Sequence, residues 1–246
     1  TFIFFEGAWE VLQPKIADGT FAIKNSSEAV ALQDKPSLTR DEMAQIISQV
    51  TTKWDANTAR ILAESDLHAA SEAAKGDVFI LAPNDNTARA IGEAFAADGD
   101  VISYVITGQD AEEASIPLIQ DGRQSMTVFK DVRILVQTAV EAALALLNDE
   151  VPKAKTTYNN GVIDVPGLES PVSVVDQSNI REVLIESGYY ETNDISSASD
   201  TGSASSNPSV GIVLPTREEP RWIQDMTHFQ EAFRDAGYDV EILFSQ

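Results

Sequence analysis

The chain has 246 residues, 43% hydrophobic and 23% charged, ordinary values for a globular protein with one substantial core or two small ones, so wholesale disorder is excluded. Thirty-nine Asp and Glu against 17 Lys and Arg leave a formal charge of -22, which repels phosphate backbones and anionic lipid and makes nucleic acid a poor partner. Cysteine is absent, which rules out disulfides, thiolate metal sites and cysteine nucleophiles, and no apolar run reaches the roughly 18 to 20 residues that cross a bilayer.

No basic stretch followed by an apolar one opens the chain at Thr1, so the expectation is a soluble protein from which any export signal has been removed. Phe2 to Ile16 reads as a helix and Thr20 to Ile23 as a strand, and Thr39 with Glu42 forms a capping box for a second helix. The clearest unit runs from Asp77 to Thr107. Val78 to Ala82 is a buried strand, Pro83, Asn84 and Asp85 make a turn, a helix spans about Thr87 to Ala96, and Val101 to Ile106 is the next strand. From Asp131, which caps the start, Leu135, Ala139, Ala142 or Ala143 and Leu146 set one apolar stripe on a helix. Glu191 to Pro208 contains ISSASDTGSASSNP, too polar to bury a core, and reads as a flexible tether. Beyond it, Ser209 to Leu214 is a strand, Trp222, Met226, Phe229 and Phe233 share a helical face, Gly237 stops that helix, and Val240 to Phe244 is a strand. Strands alternating with helices argue for an α/β fold with mainly parallel sheets.

Catalytic patterns are missing. There is no G-x-S-x-G elbow, G-x-G-x-x-G turn or Walker loop, and His68 and His228 stand in helical segments without a second histidine at ligand spacing. Glu112 and Glu113 are adjacent, which points their side chains apart and fits a solvated face better than acid–base work. The expectation is a protein that is not an enzyme, with no cofactor and no metal.

Several strings carry a resemblance: APND (82–85), TGQDAE (107–112), TVFKD (127–131), TYNNGV (157–162) and ESGYY (186–190). Together, in this order and spacing, they resemble the xylose, glucose and multiple-sugar binding proteins of bacterial ABC transporters, which have the type I periplasmic fold. SVGIVLPTREEPRW (209–222) resembles the first strand and helix of the same family, a segment that should open the mature protein, and FIFFEGAWEVLQP (2–14) resembles the helix after the first hinge crossing. The resemblance thus implies a permuted order, with about three strand–helix units of one lobe absent. The implied fold is α/β and two-lobed, with parallel doubly wound sheets and one lobe incomplete. One lobe is residues 1–108 plus 162–190, the other is 109–161 plus 209–246, and 191–208 is the linker, similar to the tether of a lipid-anchored protein.

A pyranose offers hydroxyls that need paired hydrogen bonds and an apolar face that packs on an aromatic ring, so a sugar site combines charged planar groups with Trp or Phe. The resemblance implies Arg217, Arg221 and Trp222 from one lobe and Trp54, Asn84, Asp110 and Lys130 from the other, facing each other across a groove. Bland roles stand beside these. Trp222 shares a face with Met226 and Phe229 as a core tryptophan would, Asn84 follows Pro as turn residues do, Asp110 fits a surface carboxylate, and Lys130 fits a solvated cation. The function implied is extracytoplasmic: a periplasmic or lipid-anchored receptor that delivers a monosaccharide to the permease of an ABC transporter. The alternative is a permuted or split piece of such a receptor that needs a complementary fragment or a homo-oligomer and binds no sugar alone. A transcription-regulator effector domain is disfavoured, since no helix-turn-helix segment or basic patch is visible.

Overall fold

In the computed structural model, which describes residues 2–190, 208–217 and 219–245, the chain divides after Thr107 into two units with separate cores. The first unit opens with α1 (Phe2–Ala17), α2 (Ser27–Ala31) and α3 (Arg40–Val50). Trp9, Ala29 and Ile46 are buried together there, and the indole N–H of Trp9 donates to the Lys35 carbonyl at 2.9 Å. Thr39 and Glu42 form the expected reciprocal capping box at the start of α3. Next come α4 (Ala56–Ala69), β1 (Asp77–Ile80), α5 (Asp85–Ala97) and β2 (Ser103–Ile106). β1 and β2 pair in parallel, Asp77 opposite Ser103 through Ile80 opposite Ile106, which is the expected crossover. Alanines at 59, 63, 88 and 94 let α4 and α5 approach closely over Leu67, Ile91 and Ile106.

The strand expected at Thr20 to Ile23 does not form. The Phe21 N–H turns back to the Lys15 carbonyl at 2.9 Å, closing the end of α1, and the Phe21 ring packs 5.6 Å from that of Phe79. A backbone donor used in a turn cannot also enter a ladder.

The second unit contains α6 (Ile116–Gln120), β3 (Met126–Lys130), α7 (Val132–Leu147), β4 (Thr156–Asn159), β5 (Asp164–Gly167), β6 (Val172–Asp176), β7 (Ser209–Leu214), α8 (Pro220–Asp235) and β8 (Asp239–Phe244). A wide π turn spans Arg181–Glu186. β7 and β8 are parallel, with α8 as their crossover, and Gly237 at φ 84° ends that helix as expected. β4 and β5 form a hairpin whose turn holds Gly161 at φ 90°. Among the described residues β1–β2 and β7–β8 pair in parallel, while β3–β6 and β4–β5 are antiparallel, so the sheets are less uniformly parallel than the mainly parallel arrangement expected.

The β3–β6 register has a clear cause. Thr127 faces Val175, both fully buried, and Phe129 joins Val175, Ala111, Ile119, Ile180 and Leu184 in one apolar core, a pattern that a slip of one residue would destroy. The same contacts join 162–190 to the rest of the second unit, while the grouping of 162–190 with 1–108 in one lobe is what the resemblance implies. A separate core joins Val132, Val136 and Val140 of α7 to Phe233 of α8, with Phe229, Val210, Ile212 and Val240 against it.

Asp131 caps α7 through the Arg133 N–H as expected, but of the stripe read at Leu135, Ala139, Ala142 or Ala143 and Leu146 only Ala143 packs on the α7–α8 core. The β-branched side chains at 132, 136 and 140 meet Phe233, Leu135 and Ala139 lie over a shallow hollow beside Leu168 and Ser170, and Leu146 is 63% exposed. The tether residues 191–207 lie outside the described residues; Pro208, at its end, accepts from the Asp239 N–H at 2.9 Å.

Ile106→Ala, at a fully buried position, is expected to cost about 2–5 kcal/mol, and Leu146→Ala is expected to stay within about 0.5 kcal/mol of the parent. Urea denaturation of the two variants checks both.

Candidate functional site

β2 ends at Ile106, and the chain then bends sharply at Asp110 and Ala111, whose φ values are 92° and 51°. Such values cost a non-glycine residue roughly 1–3 kcal/mol and persist only where the surroundings over-determine them. Here they do. The Asp110 N–H donates to the Val128 carbonyl at 2.9 Å, the Ala111 N–H to Oγ1 of Thr127 at 3.0 Å, and the Ala111 carbonyl accepts from the Tyr190 hydroxyl at 2.8 Å. The Ala111 methyl is sealed into the core beside Phe129.

The bend sets the Asp110 carboxylate between two cations. Its Oδ1 lies 3.1 Å from Nζ of Lys130, at the end of β3, and accepts from Nη1 of Arg221, in the first turn of α8, at 3.0 Å. All three side chains are largely buried, at 7%, 16% and 15% exposure. Burial pulls the Lys130 ammonium below the usual lysine value, with the Asp110 charge opposing that shift and the Arg221 charge adding to it.

One turn further along α8 stands Asp225, with Oδ2 3.7 Å from Nε of Arg221. Burial pushes its carboxyl up, against the charges of Arg221 and Lys130. Glu219, just before α8, is pushed up too, first by burial and then by the charge of Asp110. Two buried side-chain atoms here have no hydrogen-bond partner, Nε of Arg221 and Oδ1 of Asp225.

A tyrosine pair braces the site. The Tyr190 hydroxyl that holds Ala111 accepts from Nε2 of Gln224, and the Tyr189 hydroxyl donates to Oε1 of the same glutamine, tying the segment after the π turn to α8. Burial raises the Tyr189 phenol well above its usual value, so it stays a neutral donor. The Arg133 guanidinium lies 5.2 Å from the Tyr189 ring centre and donates to the Gly188 carbonyl at 3.0 Å.

Of the seven residues singled out in the sequence, three meet directly: Asp110, Lys130 and Arg221. Trp222 is half-buried outside the α7–α8 core, with the Arg221 guanidinium 4.9 Å from its ring centre. Arg217 is exposed and sits 4.6 Å over the ring of Phe244, apart from the Asp110 contacts. Asn84 and Trp54 belong to the first unit. Asn84 is the N-cap of α5, buried at 1% exposure, accepting from the backbone and hydroxyl of Thr87, while its Nδ2 has no partner. Trp54, at φ 63°, meets Phe4 of α1 edge-on at 6.5 Å. Sequence reading missed Asp225, Gln224 and Glu219. The four-residue step from Arg221 to Asp225 on a helix was the available signal for the first.

Among the described residues no group of three or more His, Asp or Glu could hold a metal ion, and no helix is long and apolar enough to cross a membrane.

Residues 3–150 match the family of the periplasmic binding protein domain. The chain belongs to that family. Its curated relatives include the multiple sugar-binding periplasmic receptor ChvE of Rhizobium radiobacter, 32% identical over 79% of this chain and 52% of the relative. Another is the D-xylose-binding periplasmic protein of Escherichia coli, 40% identical over 47% of this chain and 35% of the relative. Among solved structures, a carbohydrate transporter solute-binding protein from Chloroflexus aurantiacus, in complex with D-glucose, superposes with a TM-score of 0.76 at 68% identity, over 78% of this chain and 56% of that one. The chain thus spans about half the length, or less, of the family members it matches.

Asp110→Ala is expected to destabilise the chain by about 3–5 kcal/mol, because it leaves two buried cations facing each other with their common counter-charge gone. Thermal and urea melts of the variant measure that loss.

Proposed function

We propose that this periplasmic binding protein is a receptor for a monosaccharide, an aldose such as glucose, xylose or galactose, which it delivers in the periplasm to the permease of an ABC transporter. The observation that carries this reading is the Asp110 carboxylate, buried between Lys130 and Arg221 on a strained loop. Such an array offers a neutral polyol both charged acceptors and charged donors, and hydrogen bonds to charged groups are worth about 1.5–3 kcal/mol each. The half-buried Trp222 ring supplies an apolar plane beside them, suited to a sugar face. The 68% identity to a glucose-bound transporter protein supports the ligand class. Asn84, with its unpartnered amide N–H, Trp54 and Arg217 are proposed as further ligand residues, each open to its own substitution. Binding and release need no bond to be broken, and the reading includes no enzymatic step.

A second reading is favoured by the β7–β8 ladder. Among the described residues it is two strands wide, and Val213 and Leu243 are 68% and 56% exposed on it. We propose, as the alternative, that the segment order is permuted relative to the family and that this ladder needs a complementary fragment or a second copy before sugar binds.

Isothermal titration and tryptophan fluorescence with D-glucose, xylose, galactose, arabinose and fructose test the first reading. A response to at least one aldose is expected, weakened about tenfold to a hundredfold in Arg221→Ala. Silence toward all five at millimolar concentration overturns it. Light scattering over a concentration series separates the alternative, which predicts self-association or a silent monomer rescued by added fragment.

A further inference from the structure

Asp225 is the group in the second unit whose situation the sugar reading leaves unexplained. At 2% exposure it is a nearly fully buried carboxylate, and burying a charge is costly unless cations and hydrogen bonds compensate for it. Hydrogen bonds do not compensate here: its Oδ1 has no partner, and its Oδ2 reaches only to 3.7 Å from Nε of Arg221. Cations offset the burial only in part: Arg221 stands one turn back on α8, and its charge and that of Lys130 both favour the ionised carboxylate, yet burial outweighs them. Among the described residues, His228 one turn ahead on α8, Asp110 in the loop after β2 and Tyr189 beyond the π turn also interact electrostatically with Asp225.

The arrangement divides the guanidinium of Arg221 in two. Nη1 is committed to Asp110, the group proposed to receive sugar hydroxyls, while Nε is turned toward Asp225 on its own helix. An arginine side chain left to its own rotamers keeps its planar fork but loses the orientation of it, and a fixed orientation is what distinguishes a planar donor from a point charge.

We propose that Asp225 is a positioning residue for ligand binding: from the next turn of α8, its buried carboxylate fixes the Arg221 guanidinium and offsets the Lys130 charge, so that both cations stay aimed at the Asp110 carboxylate. The geometry stands on its own, and the ligand rests on the sugar reading above. The negative form of Asp225 is the one that restrains Arg221. Burial raises its pKa, so protonation begins at a higher pH than for an exposed aspartate, and affinity falls as the pH is lowered through that value.

The test compares the 246-residue chain with its Asp225→Asn variant, which keeps the shape and removes the charge. A ligand-free readout is the heteronuclear NOE of the Arg221 Nε–H, assigned by its loss in Arg221→Lys. It is expected to report a restrained group in the parent and a mobile one in Asp225→Asn, and an equally restrained group in both overturns the proposal. The second readout is the affinity for D-glucose at pH 7 and as the solution is acidified over the range in which the chain stays folded. Asp225→Asn is expected to bind about tenfold more weakly at pH 7 and to lose the decline toward acid that the parent shows, whereas parental affinity and profile overturn the proposal. A parent chain that binds no aldose sinks the sugar reading alone, and the NOE comparison still decides the role of Asp225.

Discussion

A single carboxylate held by two buried cations organises the second unit. Asp110 draws Lys130 from the end of β3 and Arg221 from the start of α8 to one oxygen atom. Each cation sits where desolvation would penalise it without that partner. The strained backbone at 110 and 111 fits the same logic. A glycine would relax it but would offer no carboxylate, and the Ala111 methyl would no longer fill its place beside Phe129.

That strain is carried by neighbours rather than by the loop itself. Thr127 from β3 and Tyr190 from beyond the π turn each take one backbone group of Ala111, and both are anchored in turn: Thr127 by its pairing with Val175, Tyr190 by Gln224 of α8. The bend is therefore only as firm as the β3–β6 register. In the first unit Asn84 is placed by a simpler device, helix capping, which consumes its carbonyl oxygen and leaves its amide nitrogen for another partner.

What the sequence disclosed follows from how local each signal is. The capping box at Thr39 and Glu42, the cap at Asp131 and the stop at Gly237 are written in residues a few positions apart and could be read, whereas Asn84, read as a turn residue, proves to be the cap of α5. The crossovers 77–106 and 209–244 were legible for the same reason, since alternating strand and helix periods lie within one stretch. Strand direction is not local. SPVSVVD shows that 172–176 pairs with something, yet nothing in it specifies antiparallel pairing with 126–130. The α7 stripe was misread by one position because Leu and Val are equally apolar there, and only Phe233, a hundred residues away, decides which row is buried. Asp110 was reachable through family resemblance alone, because TGQDAE gives no local sign of a positive φ. Asp225 passed as one more acid in a chain rich in them, although its spacing from Arg221 was in plain sight.

The route of the backbone beneath this cluster carries a mechanical consequence. Phe129 is packed into one apolar core and Val132 into the other, so only Lys130 and Asp131 separate them. Those two peptides form an articulation with almost no slack, and the Arg221–Asp110 contact closes over it like a clasp over a joint. A turn of one core against the other would alter that spacing together with the Tyr189 and Tyr190 contacts to Gln224. The atoms proposed to receive a ligand would then be among those that sense the angle between the two cores.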